Sequence, residues 1–125
     1  MTIHRLATIA LSLVLMTGSA ALAHEAAKGR NGGLRVDAGN YHTELLVDGT
    51  NNVAVFLSDA DDKPIPAKDF KANAILIIDG KSQRFPLTPA EGSKLVGTAP
   101  APVKPGVKGA IQLTAPDGAT AQAKF

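Results

Sequence analysis

Apolar and polar residues alternate along most of the chain after Gly33, in short runs broken by turn residues. From Tyr41 to Val47 the pattern is clearest. Tyr41, Thr43, Leu45 and Val47 share one face of an extended strand, and His42, Glu44 and Leu46 share the other, because successive strand side chains point to opposite faces. Gly32-Gly33 opens an earlier strand through Leu34, Arg35 and Val36, and Gly39-Asn40 turns the chain between the two. Asp48-Gly49 is a further turn signal, extended by Thr50, Asn51 and Asn52. The unbroken apolar run Val53 to Leu57 predicts a central strand buried on both faces.

Asp59, Asp61, Asp62 and Lys63 make a polar bend, after which Pro64 and Pro66 exclude regular central pairing. Ala67 to Lys71 is expected to form one helical turn, since Pro66 suits a first helical position. Ala72 to Ile78 is the strongest strand, and Asp79-Gly80 predicts a tight hairpin into Ser82 to Leu87. Lys94 to Ala99 is another strand. Pro100, Pro102 and Pro105 then mark an extended crossover or edge. Val107 to Ala115 and Ala119 to Phe125 read as a final hairpin across Pro116-Asp117-Gly118.

Turn signals every roughly 8 to 12 residues, with no long amphipathic helix, predict an all-β domain. The expected architecture is a small immunoglobulin-like antiparallel β-sandwich of about seven strands. The likeness is architectural only, because the Cys…Trp…Cys signature is missing. The expected core takes Tyr41, Leu45, Val53, Val55 and Leu57 from the first half, and Ile75, Ile77, Phe85, Leu95, Ile111 and Leu113 from the second.

The first 23 residues follow another pattern. Arg5 precedes an apolar stretch from Leu6 to Met16, small residues break it, and Ala21-Leu22-Ala23 is an A-x-A cleavage site. This is the order of a secretory signal peptide, with an apolar stretch about half as long as a spanning helix requires. The expectation is a cleaved signal helix over 1–23, a flexible N-terminal segment over 24–32, and a β-sandwich domain over 33–125. The product is expected in the periplasm, with no lipid anchor at a junction that lacks Cys and no membrane association after cleavage. Cleavage leaves 12 basic and 11 acidic residues, a balance that excludes a strongly basic nucleic-acid binder.

Enzymatic constellations are missing: the chain has no Cys nucleophile, no P-loop and no recognised hydrolase motif, so no enzyme is expected. Asp59, Asp61 and Asp62 start like a calcium loop, but its turn glycine and its twelfth-position Glu are absent. Histidine offers more. Cleavage after Ala23 makes His24 the terminal residue, whose α-amine and imidazole can chelate one metal ion. His42 adds a second imidazole, Glu44 points the same way from the same strand, and Glu25 or Asp37 can supply oxygen. A nitrogen-rich set of this kind suits Cu(II), whereas Zn(II) needs further carboxylate or water ligands. His24, His42 and Glu44 are therefore the candidate metal ligands, with no organic cofactor.

The run Gly29-Arg30-Asn31-Gly32-Gly33, then Val36, then Gly39-Asn40-Tyr41-His42-Thr43-Glu44-Leu45 resembles a segment in the N-terminal regions of heavy-metal efflux adaptor proteins. Val53 to Leu57, Asp59 to Pro64, Phe85-Pro86-Leu87 and Leu95-Val96-Gly97 continue the resemblance, which spans roughly Gly29 to Ala99. The His that some relatives carry in the Gly-rich loop is replaced by Arg30 and Asn31, and no hairpin, lipoyl-like or barrel domain follows. The resemblance implies a stand-alone periplasmic β-module linked to metal handling, with metal efflux or metal-delivery proteins as partners. The resulting expectation is an exported Cu(II)- or Zn(II)-binding accessory protein using the mature N-terminal His. The alternative is a non-catalytic protein–protein interaction module without a metal, docking through a strand edge or the Pro100 to Pro105 segment.

Overall fold

The alternation along the chain becomes nine antiparallel strands in the computed structural model, which describes residues 26–125. They are β1 (Ala27–Lys28), β2 (Leu34–Ala38), β3 (Tyr41–Val47), β4 (Asn52–Ser58), β5 (Lys71–Ile78), β6 (Lys81–Pro89), β7 (Lys94–Thr98), β8 (Lys108–Thr114) and β9 (Thr120–Lys124). No helix occurs among the described residues. The expected signal helix, His24 and Glu25 lie outside them.

The strands form one curled sheet in the order β1-β2-β3-β4-β7-β6-β5-β8-β9. β6 makes the curl. Its first part pairs with β5, Ala72 opposite Leu87, while Thr88 and Pro89 at its end pair with Val96 and Leu95 of β7. One layer is therefore β1-β2-β3-β4-β7 and the other β6-β5-β8-β9, and β2, next to the short edge strand β1, approaches the edge strand β9 across the far side. The result is the expected all-β, sandwich-like architecture, with nine strands instead of about seven. The hairpin between β5 and β6 turns on Asp79 and Gly80, at φ 52° and 76°, the positive pair that a two-residue type I′ turn requires.

Side chains from both layers fill the interior. Leu45, Val53, Val55, Leu57, Phe85, Leu95, Ile111 and Leu113 are buried as expected, and Tyr41 is half-buried against Phe70, ring edge to ring face at 5.3 Å. Each fully buried Val, Leu or Ile contributes about 1.5–3 kcal/mol of transfer free energy. With no cysteine present, no disulfide adds to this.

Four local expectations change. Ile75 and Ile77 leave the core, Ile77 being 48% exposed, and Ala72, Ala74, Leu76 and Ile78 face inward instead. The small Ala72 and Ala74 lie opposite Leu87 and Phe85, which occupy the volume that larger residues would need. The run Val53 to Leu57 alternates, burying Val53, Val55 and Leu57 while Ala54 and Phe56 stay half-exposed on the outer face. Ala67 to Lys71 makes a β-turn, with Phe70 N donating to Ala67 O at 3.0 Å and Asp69 at φ 69°. Phe70 is drawn into the core there and the chain straightens at once into β5, so no helical turn forms. Finally, Ala27–Lys28 of the N-terminal segment pairs with β2 as an added edge strand.

The proline-rich crossover is bound into the fold. Val103 is buried, its carbonyl accepts from Gly49 N at 2.8 Å, and its own N–H donates to Thr50 O at 2.9 Å.

Candidate functional site

The outward face of β3 is unusual for its charge and burial. His42 and Glu44 are only 8% and 5% exposed, although neither faces the apolar core. β2 lies alongside, setting Asp37 opposite His42 and Arg35 opposite Glu44. Two chain segments cover this face: the loop 29–33 over Glu44, and the bend Asp59 to Lys63 over His42 and Arg35.

Glu44 holds the first segment. Its Oε2 accepts from Gly33 N at 2.8 Å and Asn31 N at 3.0 Å, and its Oε1 accepts from Asn31 Nδ2 at 3.1 Å. A buried carboxylate is costly unless hydrogen-bonded, and bonds to an ionised acceptor are the stronger kind. The loop closes on itself through Gly29 N to Gly33 O at 2.8 Å and Gly32 N to Gly29 O at 3.1 Å. Two of its glycines leave no room for a Cβ. A Cβ on Gly29 would overlap the Glu44 side chain, and one on Gly33 would overlap the Leu45 carbonyl.

The second segment is shaped by Asp59. Its Oδ1 accepts from Asp61 N and Lys63 N, both at 2.9 Å. This bond pattern closes a turn and commits that oxygen to the backbone. Asp62, at φ 61°, is thereby aimed at β2 and β3. Its Oδ1 lies 2.7 Å from His42 Nδ1 and 2.6 Å from Arg35 Nη1. Its carbonyl accepts from Arg30 Nη2 at 3.2 Å. The hydrogen bond from His42, then the hydrogen bond and charge of Arg35, hold the Asp62 carboxyl below the usual aspartate range against the opposing effect of desolvation. A carboxylate can only accept, so Nδ1 donates to Asp62. His42 Nε2 then faces Asp37, whose Oδ1 is 3.2 Å away.

His42 and Glu44 thus share one strand face, as the alternation predicts, but the structure gives them separate partners. Glu44 serves the loop; His42 is gathered with Asp37 and Asp62. Asp37 is an expected oxygen source and does reach His42. Asp62 was not singled out in the sequence as a partner of His42, and nothing in the polar bend marks it apart from its neighbours. Among the described residues, no group of three His, Asp or Glu side chains is placed to hold a metal ion. A cleft of about 250 Å³ opens beside the cluster, lined by Arg35, Glu44 and Asp62 together with Arg30, Asn31, Phe56, Ser58, Pro64 and Ser93. No family model, curated protein or solved structure matches the chain.

Proposed function

We propose that the protein is an exported accessory that binds Cu(II) or Zn(II) where the mature N-terminus meets His42. The observation that carries this reading is the register of β1. Ala27 lies opposite Arg35 and Lys28 opposite Leu34. The chain therefore enters β1 from the Asp37 end of β2, the end at which His42 stands. In this proposal the ligands are the amine and imidazole of His24, Nε2 of His42 and a carboxylate oxygen of Asp37. Asp62 keeps the role seen in the structure, fixing the ring through Nδ1, as carboxylates commonly do for metal-bound histidines. Glu44 acts as a clamp for the loop, since its oxygens already accept three N–H groups. Delivery to or from a metal efflux system is the partner reading, and it rests on the sequence resemblance.

Electron paramagnetic resonance of Cu(II) on the processed protein tests this. Nitrogen hyperfine structure should be present, and it should change both when one extra residue precedes His24 and in His42→Asn. An aquo-like spectrum in the processed protein would overturn the proposal. So would a spectrum that neither change alters.

A further inference from the structure

The outer face of the β6-β5-β8-β9 layer carries cations and no acids. Side-chain parity and register place Lys71 of β5, Arg84 of β6, Lys108 of β8 and Lys124 of β9 on it. Of the residues 26–125, this face holds four of the twelve basic side chains and none of the ten acidic ones, leaving eight basic against ten acidic elsewhere. The acids nearest along the chain, Asp69, Asp79 and Asp117, sit in turns at the strand ends. The ion pairs among the described residues all belong to the Arg35, Asp37, His42 and Asp62 cluster, on the other layer. Arg84 instead donates to Gln112 Oε1 at 3.2 Å.

The cations surround apolar residues. Ile75 is flanked by Arg84 and Ala110, and Ala110 in turn by Lys124; Ile77 is flanked by Ser82 and Lys108. Ile77 is one of two large hydrophobic residues that the described structure leaves exposed. Four strands at about 4.8 Å spacing, with Lys71 six residues from Ile77, spread this group over about 14 by 20 Å. The charges are distributed in two dimensions across a sheet face rather than along a groove. A linear acidic segment would meet at most one row of them. A bilayer surface with anionic headgroups meets all four at once, and it accepts an exposed aliphatic side chain between them.

We infer that this face docks reversibly on an anionic phospholipid surface. This inference departs from the expectation of no membrane association after cleavage, although no helix among the described residues is long and apolar enough to cross a membrane. Surface docking by a sheet face is a separate property, and it does not depend on the metal reading.

Co-sedimentation of the processed chain with vesicles tests the inference. Binding is expected to vesicles of phosphatidylglycerol and phosphatidylcholine at 1:1, with little to pure phosphatidylcholine, and to fall steeply with added salt. Lys108→Ser combined with Lys124→Ser should lower the partition coefficient about 30-fold. Lys63→Ser combined with Lys104→Ser removes the same charge elsewhere and should lower it far less. Thermal melts confirm that both variants are folded. Absence of binding to the anionic vesicles, equal binding to both compositions, or an equal loss in the two double variants would overturn the inference. So would capture on immobilised polyglutamate without vesicle binding, which assigns the face to an acidic protein.

Discussion

Glu44 is a carboxylate whose surroundings define its work. Three N–H groups from Asn31 and Gly33 converge on it, and two glycines clear the space around it. In Glu44→Gln an amide N–H₂ replaces one acceptor and faces a buried backbone donor. The loss should be about 2 kcal/mol, the cost of leaving a buried donor unpaired, read as a lower urea midpoint at unchanged slope. Asp62 makes a different prediction. Its folded pKa is lowered, chiefly by His42 and then by Arg35, so its stabilisation is present at neutral pH. That contribution fades as the pH falls below about 4, the ordinary aspartate value, and is gone below the lowered one. Asp62→Asn should therefore be less stable than the parent at pH 6, with the gap narrowing towards pH 3 in parallel urea titrations. A gap that does not depend on pH would mean that the carboxylate's charge is not what holds the bend. The alternation of β3 announced that His42 and Glu44 share a face. Asp37, five residues before His42, is within its reach, but the alternation was silent on Gly33 and Asp62, which arrive from 11 and 20 residues away through turns whose geometry periodicity does not report.

At the scale of the element, β3 and β5 differ in how legible they are. β3 mixes polar and apolar residues, so its two faces separate on sight, and its predicted bounds match the structure. In β5 the stretch Ala74 to Ile78 is apolar at every position, so alternation within it carries no information. The informative residues were Lys71 and Asn73, which share parity with Ile75 and Ile77 and mark that side as the outer one. The same uniformity made Val53 to Leu57 read as buried on both sides. Substitution separates the two faces of β5 directly. Leu76→Ala empties a fully buried site and should cost about 2–5 kcal/mol. Ile77→Ala removes a half-exposed side chain and should cost under about 1 kcal/mol. Comparable losses in the two variants, measured by chemical denaturation, would contradict the register. Hairpins fared better than crossovers for a related reason. Asp79-Gly80 and Pro116-Asp117-Gly118 encode their turns locally, whereas Ala67 to Lys71 is shaped by Phe70 meeting Tyr41 across the core.

At the scale of the whole molecule, the cluster around His42 exists only when distant parts are assembled. β2 and β3 supply Arg35, Asp37 and His42, and the crossover between the two layers supplies Asp62. This bears on how metal binding should couple to stability. An N-terminal His can chelate Cu(II) through its own amine and ring in any conformation of the chain, folded or unfolded. A metal held by His24 alone therefore binds both states and leaves the folding equilibrium unchanged. A metal that joins His24 to His42 binds the folded state more tightly than the unfolded one, in which only the terminal chelate remains. If the second imidazole tightens binding about 100-fold, saturating metal adds about 2.7 kcal/mol. For a domain of this size, each kcal/mol corresponds to about 4–8 °C, so the melting temperature should rise by roughly 10 °C or more. His42→Asn should keep the terminal chelate while losing that rise. Calorimetric scans with and without Cu(II), on both proteins, separate the alternatives. A saturable site with no rise in the parent protein would confine the metal to the N-terminus and remove His42 from the ligand set. A rise that survives His42→Asn would place the fold-linked ligand elsewhere in the domain.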